Sequence, residues 1–453
     1  MPGRAAVALR AAGILASAAG IVALAVAIRR RRRVCRAPLR RRTTEVGGGF
    51  ELPESAPAPP SIHGSPGLAL TRQTVEVISS SVPVIGSTEA ASIFYTELFA
   101  IAPELKALFG SPEAQQRKLR GILTWVSGVL TDMPSLSEGL RSLGVRHLRY
   151  NAKLEHFHAV KSAFMQMVSI VDQQSISSAA HDFDGTDSEA DDEDADEDDA
   201  DEEERGAGRA GARRAPIDRH QRLLDVSRAW EALLYVFIGE MSPMMLMQDT
   251  IGSFHAALAN DLAAPAGGTC LALAGAQGAS LLIMAAQLTR EPRQRETIDR
   301  ATKQLQHART SLETLAKLDM CVYCRVMAAI RQPALTYPIA RLRAISAALE
   351  QAALIPLQVA EWAVHTLRVA RALLPIAGMS GVGDAGAGSY LLLAAGRAAI
   401  ENVWVNTGSK LAAQGWRGWA HAIDARAREL LDMLDDVEGD IKAIQAARNP
   451  RDG

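Results

Sequence analysis

The sequence predicts an all-α protein, and three observations carry that prediction. Apolar residues recur every third or fourth position between Thr71 and Val171, as in Ile93, Leu98, Leu105 and Leu108, then Ile122, Leu123, Val126, Val129 and Leu130. The same spacing resumes at Leu223, Leu224, Val226, Trp230, Leu233, Leu234, Phe237, Ile238 and Met241. After Pro243 the chain turns Ala-rich, with a charged helical stretch over 289–317, an amphipathic one over 339–374, a glycine-rich loop from Gly378 to Gly388, and a last helix over about 422–447. No Gly-rich turn joins a strand to a helix there, so a dinucleotide-binding α/β module is excluded.

The first 44 residues are set apart by charge. The chain has 453 residues and a formal net charge of −2, which argues against a generic nucleic-acid binder. Residues 1–44 nevertheless contain no Asp or Glu, and Arg29–Arg33 and Arg40–Arg42 follow an apolar run, Ala11–Ile28. As a helix that run reaches roughly 27 Å, close to the hydrocarbon thickness of a bilayer. The arginines behind it predict a membrane anchor with everything after residue 29 in the cytosol. An Arg-rich, acid-free, Ala-rich start is also how a mitochondrial transit peptide reads. Four cysteines, Cys35, Cys270, Cys321 and Cys324, are too few for a disulfide framework and suit a reducing compartment.

Composition also marks the remaining boundaries. Residues 45–72 are rich in Gly, Pro and Ser and predict a linker. An acidic stretch within 181–214, with Asp191–Glu204 at its centre, lacks apolar side chains and predicts a disordered insertion. The expected organisation is therefore an anchor (1–44), a linker (45–72), a helical domain (73–250) interrupted by that insertion, and a second helical domain (251–453) of unassigned fold.

The motifs of 73–250 resemble a known family. Residues 93–109, Ile-Phe-Tyr-Thr-Glu-Leu-Phe-Ala-Ile-Ala-Pro-Glu-Leu-Lys-Ala-Leu-Phe, resemble the second and third helices of single-domain globins and of the globin part of flavohaemoglobins. Ser142-Leu-Gly-Val-Arg-His-Leu-Arg-Tyr150 and Leu154-Glu-His-Phe-His158 resemble the proximal helix and the start of the next one. Ala229-Trp-Glu-Ala-Leu-Leu-Tyr-Val-Phe-Ile-Gly-Glu-Met241 resembles the last globin helix, so the acidic insertion falls in the surface turn before it, where added length costs little closure entropy.

The resemblance implies a haem b cofactor and a set of residues around it. His147 is implied as the proximal iron ligand, an imidazole on one face of the ring that leaves the other face open. Phe109 is implied to pack on the porphyrin, and Leu119 to face the same pocket. Tyr95 and Gln115 are implied as the polar distal pair that donates hydrogen bonds to bound oxygen; Gln115 lies 32 positions before His147, and a one-residue shift would put Gln116 in its place. Phe157 and Met245 stand where flavohaemoglobins carry a Tyr and an acid, which puts their proximal network in doubt here.

The implied activity is reversible binding of O₂, and of NO and CO. Nitric oxide dioxygenation is the implied catalytic extension, and it would need an external reductase. The alternative is a haem-based gas sensor that signals through the C-terminal helices to a partner. Three further signals read plainly. Cys321-Val-Tyr-Cys324 lacks a second pair for zinc, the apolar stretch 269–288 contains Gln277, Ser280 and Gln287 and reads as a buried helix, and the acidic run reads as solvated.

Overall fold

The computed structural model describes residues 51–60, 70–181, 219–262, 264–333, 338–408 and 418–448. Two compact units divide the chain, Met1–Gly49 and Phe50–Gly453, and all the described residues belong to the second. The apolar run 11–28 with its arginine blocks, the acidic run 191–204 and most of the linker lie outside the described residues. Among the described residues there is helix and no strand, as the periodicity predicts.

The first six helices are α1 (Arg72–Ile85), α2 (Thr88–Ile101), α3 (Pro112–Val129), α4 (Met133–Arg149), α5 (His156–His181) and α6 (Arg219–Met245), with a short 3₁₀ turn, Pro103–Leu108, after α2. Their starts follow from short polar caps. Thr71, Ser87, Ser111 and Asp132 each accept the backbone N–H of the residue three positions on, which satisfies a donor the first helical turn would otherwise leave bare. Pro112 adds a preset φ at the first position of α3. Between α1 and α2 the chain bends by 89°.

These helices close around one aromatic core. The Phe94 and Phe164 rings lie 6.1 Å apart, Phe164 and Trp230 5.5 Å apart, and the Trp230 indole N–H donates to Ser81 Oγ at 2.9 Å. That chain of contacts ties α2, α5, α6 and α1 together. The pairing is α2 along α5, α4 along α6, and α1 and α5 also against α6, whereas α3 touches α4 only lightly.

Beyond them come α7 (Ile251–Leu258), α8 (Gly267–Leu288), α9 (Arg295–Arg331), α10 (Pro338–Leu373), α11 (Val382–Thr407) and α12 (Gly418–Ala447). The helices α8 to α11 form a bundle and α12 packs on α10 and α11. Small residues set its spacing. A Cβ built on Gly278 would lie 2.6 Å from the Gly388 carbonyl oxygen, and one on Gly388 would lie 2.6 Å from the Gly278 carbonyl oxygen. This contact corrects the expected loop over 378–388: the turn ends at Gly381 and α11 begins at Val382. The glycines there are helical residues that let two backbones meet. The last helix likewise begins at Gly418, ahead of the expected start.

The apolar stretch 269–288 is α8, which is long and apolar enough to cross a membrane; its Ala272, Gly275, Ala279, Leu282 and Ala286 are buried within the bundle. Within the expected linker, Pro53 is held against α9, its carbonyl accepting from Gln304 Nε2 at 2.8 Å. The two helical sets are also continuous, because α9 packs along much of α6.

Candidate functional site

The aromatic end of α2 and the start of α3 bring the residues expected on the distal side together. Tyr95, Phe99 and Phe109 form a triangle of rings, with centroids 5.9 Å (Tyr95–Phe99), 5.6 Å (Tyr95–Phe109) and 5.5 Å (Phe99–Phe109) apart. Phe109 holds that place because the 3₁₀ turn from Pro103 ends on it in extended backbone. The Tyr95 hydroxyl donates to the backbone carbonyl of Gln115 at 3.2 Å. Burial pushes its pKa up to about 12, so it is a phenol at any ordinary pH. Sequence reasoning expected Tyr95 and Gln115 to act as paired donors; here the phenol's only proton is given to the Gln115 main chain, which makes Tyr95 first a clamp on α3.

Leu119 and Ile122 continue from Gln115 along one face of α3 and are half-buried, while Val126 and Leu130 farther along that face are buried. The apolar surface therefore opens toward the Phe109 end. Leu108, next to Phe109, is exposed although large and apolar, and Trp125 is partly exposed with its ring against Gly139 of α4.

His147 occupies the last turn of α4. Its Nδ1 lies 2.8 Å from the Leu143 carbonyl oxygen. A carbonyl can only accept, so Nδ1 carries the proton and the lone pair is on Nε2. Burial lowers the imidazole's pKa, the bond to Leu143 opposes that fall, and Arg146 adds to it, leaving the ring neutral at neutral pH. The helix stops just beyond, where Asn151 takes a left-handed φ of 56° and the His147 carbonyl accepts the N–H groups of Tyr150 and Ala152. No hydrogen bond or ring contact among the described residues joins His147 to the Tyr95–Phe109 cluster. Phe157 is half-buried on α5 and Met245 is fully buried at the end of α6.

A second constellation, which sequence reasoning passed over, lies where α8 starts against α9. Thr269 Oγ1 donates to Asp319 Oδ2 at 2.7 Å. A Cβ on Gly268 would lie 2.1 Å from Asp319 Oδ1, so only glycine lets that carboxylate in, and the Asn402 amide lies beside Gly267. Burial pushes the Asp319 carboxyl up to about 6 against the pull of the Thr269 hydrogen bonds. The available signal was an Asp inside the apolar run Leu318–Val322, together with the Gly-Gly-Thr that opens α8.

Comparisons with known proteins give two different likenesses. An uncharacterized globin-like protein of Aquifex aeolicus is 30% identical over 105 residues, 22% of this chain and 76% of that protein. Over that stretch the chain belongs to the globin-like proteins. The family model described as formiminotransferase-cyclodeaminase matches residues 250–413, so the bundle beside the globin-like part carries a different likeness. A crystal structure of formiminotetrahydrofolate cyclodeaminase from Thermotoga maritima is 20% identical, covers 44% of this chain and 96% of its own, and superposes with a TM-score of 0.40.

Proposed function

We propose that the globin-like part, residues 73–250, binds haem b with His147 as its iron ligand and takes up O₂, and also NO and CO, reversibly. The observation that carries this reading is the orientation of His147: Nδ1 is protonated against Leu143, so Nε2 is the free, neutral donor a porphyrin iron needs. Half-buried Phe109, Leu119 and Ile122, with exposed Leu108 beside Phe109, offer apolar side chains for a flat macrocycle to cover. Haem iron supplies the diatomic-binding chemistry.

The chain's own residues set the rest. Leu143 fixes the tautomer and ring plane of His147, and Asn151 ends the helix so that the ring stands at its edge. Tyr95 holds the start of α3 and stays protonated, ready to turn its hydroxyl from the Gln115 carbonyl toward a bound gas, with the Gln115 amide as the second donor. In this reading the run 11–28 tethers the protein to a membrane with the globin-like part in the cytosol. Nitric oxide dioxygenation would then draw electrons from a separate reductase, since no dinucleotide-binding module is legible in the sequence.

The test is spectroscopic. Full-length protein titrated with haem is expected to give a Soret band that moves on dithionite reduction and again on CO addition, and His147→Ala is expected to weaken or alter it. Absence of stoichiometric haem uptake would leave a helical scaffold.

A second reading, a gas sensor, is favoured by one observation: α6, the last helix of the globin-like part, is also the helix on which α9 of the bundle lies. The buried acid Asp319 at the α8–α9 contact is then the responding site. Chain cut after residue 250 is expected to bind CO with altered affinity under this reading, because coupling is reciprocal.

A further inference from the structure

We infer that the seam Arg141–Glu240–Arg325 is a mechanical and electrostatic link through which ligand binding at His147 is felt in α9; this rests on the haem reading above. Glu240 of α6 is almost wholly buried. Its Oε2 accepts from Arg141 Nε at 2.8 Å, and its Oε1 faces Arg325 Nη2 at 3.5 Å and Cys321 Sγ at 3.7 Å. Arg141 lies six residues before His147 on the same helix, and Arg325 lies six residues after Asp319 on α9. One carboxylate thus holds the helix of the candidate iron ligand and the helix of the buried acid.

The backbones beside it approach closely, next to a small cavity lined by Met133 and Ser137 of α4, Gly239 and Glu240 of α6, and Cys321 and Arg325 of α9. A Cβ on Gly144 of α4 would lie 2.8 Å from the Met241 carbonyl oxygen, and one on Gly239 would lie 2.7 Å from Cys324 Cβ. Gly239 and Met241, either side of Glu240, therefore touch α9 and α4 respectively at close range. At Gly144 a displacement of α4 meets the Met241 backbone itself, so it moves α6 or separates that contact. Nine residues earlier the same helix is pinned differently. Glu231 binds Lys161 of α5 at 3.1 Å and Arg331 of α9 at 3.3 Å, with no partner from α4. The Glu231 end acts as a fixed point and the Glu240 end is where α4 acts.

A buried ion network is a poor device for stability alone, since well-packed apolar residues of like volume serve as well or better, and its best-attested use is to fix register or to switch. Glu240, isolated in the apolar run Val236–Met241, fits that use.

The experiment is hydrogen–deuterium exchange of the full chain, loaded with haem and reduced, with and without CO. Exchange of peptides covering 315–327 is expected to change about five-fold on CO addition. Glu240→Gln, and independently Arg141→Gln on the more exposed side of the seam, are expected to abolish the change while the CO-bound Soret band persists; Glu231→Gln is expected to keep it. A normal CO spectrum with unchanged exchange at 315–327 in the wild type overturns the link and leaves the haem reading standing. A full response in both Glu240→Gln and Arg141→Gln also overturns it. Failure to bind haem at all brings down both.

Discussion

Two helix contacts in this chain are built on opposite principles. Where α8 meets α11, Gly278 and Gly388 put backbone against backbone and nothing fits between. Where α3 faces α4, the Trp125 ring lies on Gly139, whose added Cβ would come within 2.4 Å of it, while Leu119 and Ile122 on one helix and Leu143 on the other are only half-buried. The first interface is complete as it stands. In the haem reading proposed above, the macrocycle would cover the half-buried side chains of the second, with the unprotonated Nε2 of His147 as its ligand. The difference is one of completeness: the first contact leaves no room, and the second leaves half-buried side chains that a ligand could still cover.

Substitutions sharpen this contrast. Trp230→Ala, in the core of the globin-like part, removes a buried indole and its bond to Ser81, and should lower unfolding stability by about 3–5 kcal/mol in chemical denaturation. A smaller loss, about 1–3 kcal/mol, is expected for Gly388→Val, since the new side chain meets the Gly278 carbonyl. Leu119→Ala should behave unlike a core truncation. Without haem its cost should stay below about 1 kcal/mol, because the side chain is only half-buried, while haem affinity falls measurably in a spectroscopic titration. If Leu119→Ala costs as much as a buried leucine, α3 and α4 are already packed and the contrast is lost. A similarly small effect, about 1 kcal/mol or less, belongs to Tyr95→Phe, through loss of the clamp on Gln115.

Acid offers a different probe of the bundle. His365 is buried, and that burial, with His307 and Arg368 adding to it, pushes its pKa down to about 4. The unfolded chain, with an ordinary imidazole near 6.5, then binds more protons than the folded one between those values. Stability should fall as pH drops from about 6.5 toward 4. A urea midpoint lower at pH 5 than at pH 7, with a shallower fall in His365→Leu, is the expected result.

Much of the globin-like part was legible in the sequence because its signals are local. Pro103 opens a turn that ends on Phe109, Ser111 caps the helix that carries Gln115 and Leu119, and the stretch from Ser142 to Tyr150 is one helix with His147 in its last turn. What stayed hidden is what distance in sequence hides. Arg141 and Glu240 are 99 residues apart, and Glu240 and Arg325 are 85 apart. The Tyr95 hydroxyl's choice of a main-chain acceptor over a shared pocket was equally invisible. The glycines of 378–388 read as a loop since glycine usually ends helices, and only the approach of α8 explains why part of them stays helical.

The most direct test of the account replaces the proposed ligand with space. His147→Gly should bind haem weakly and give an altered CO spectrum, and free imidazole should restore both, because it supplies the nitrogen that Nε2 provided. If His147→Gly binds haem and CO as the wild type does, without imidazole, His147 is not the ligand and the central claim is wrong.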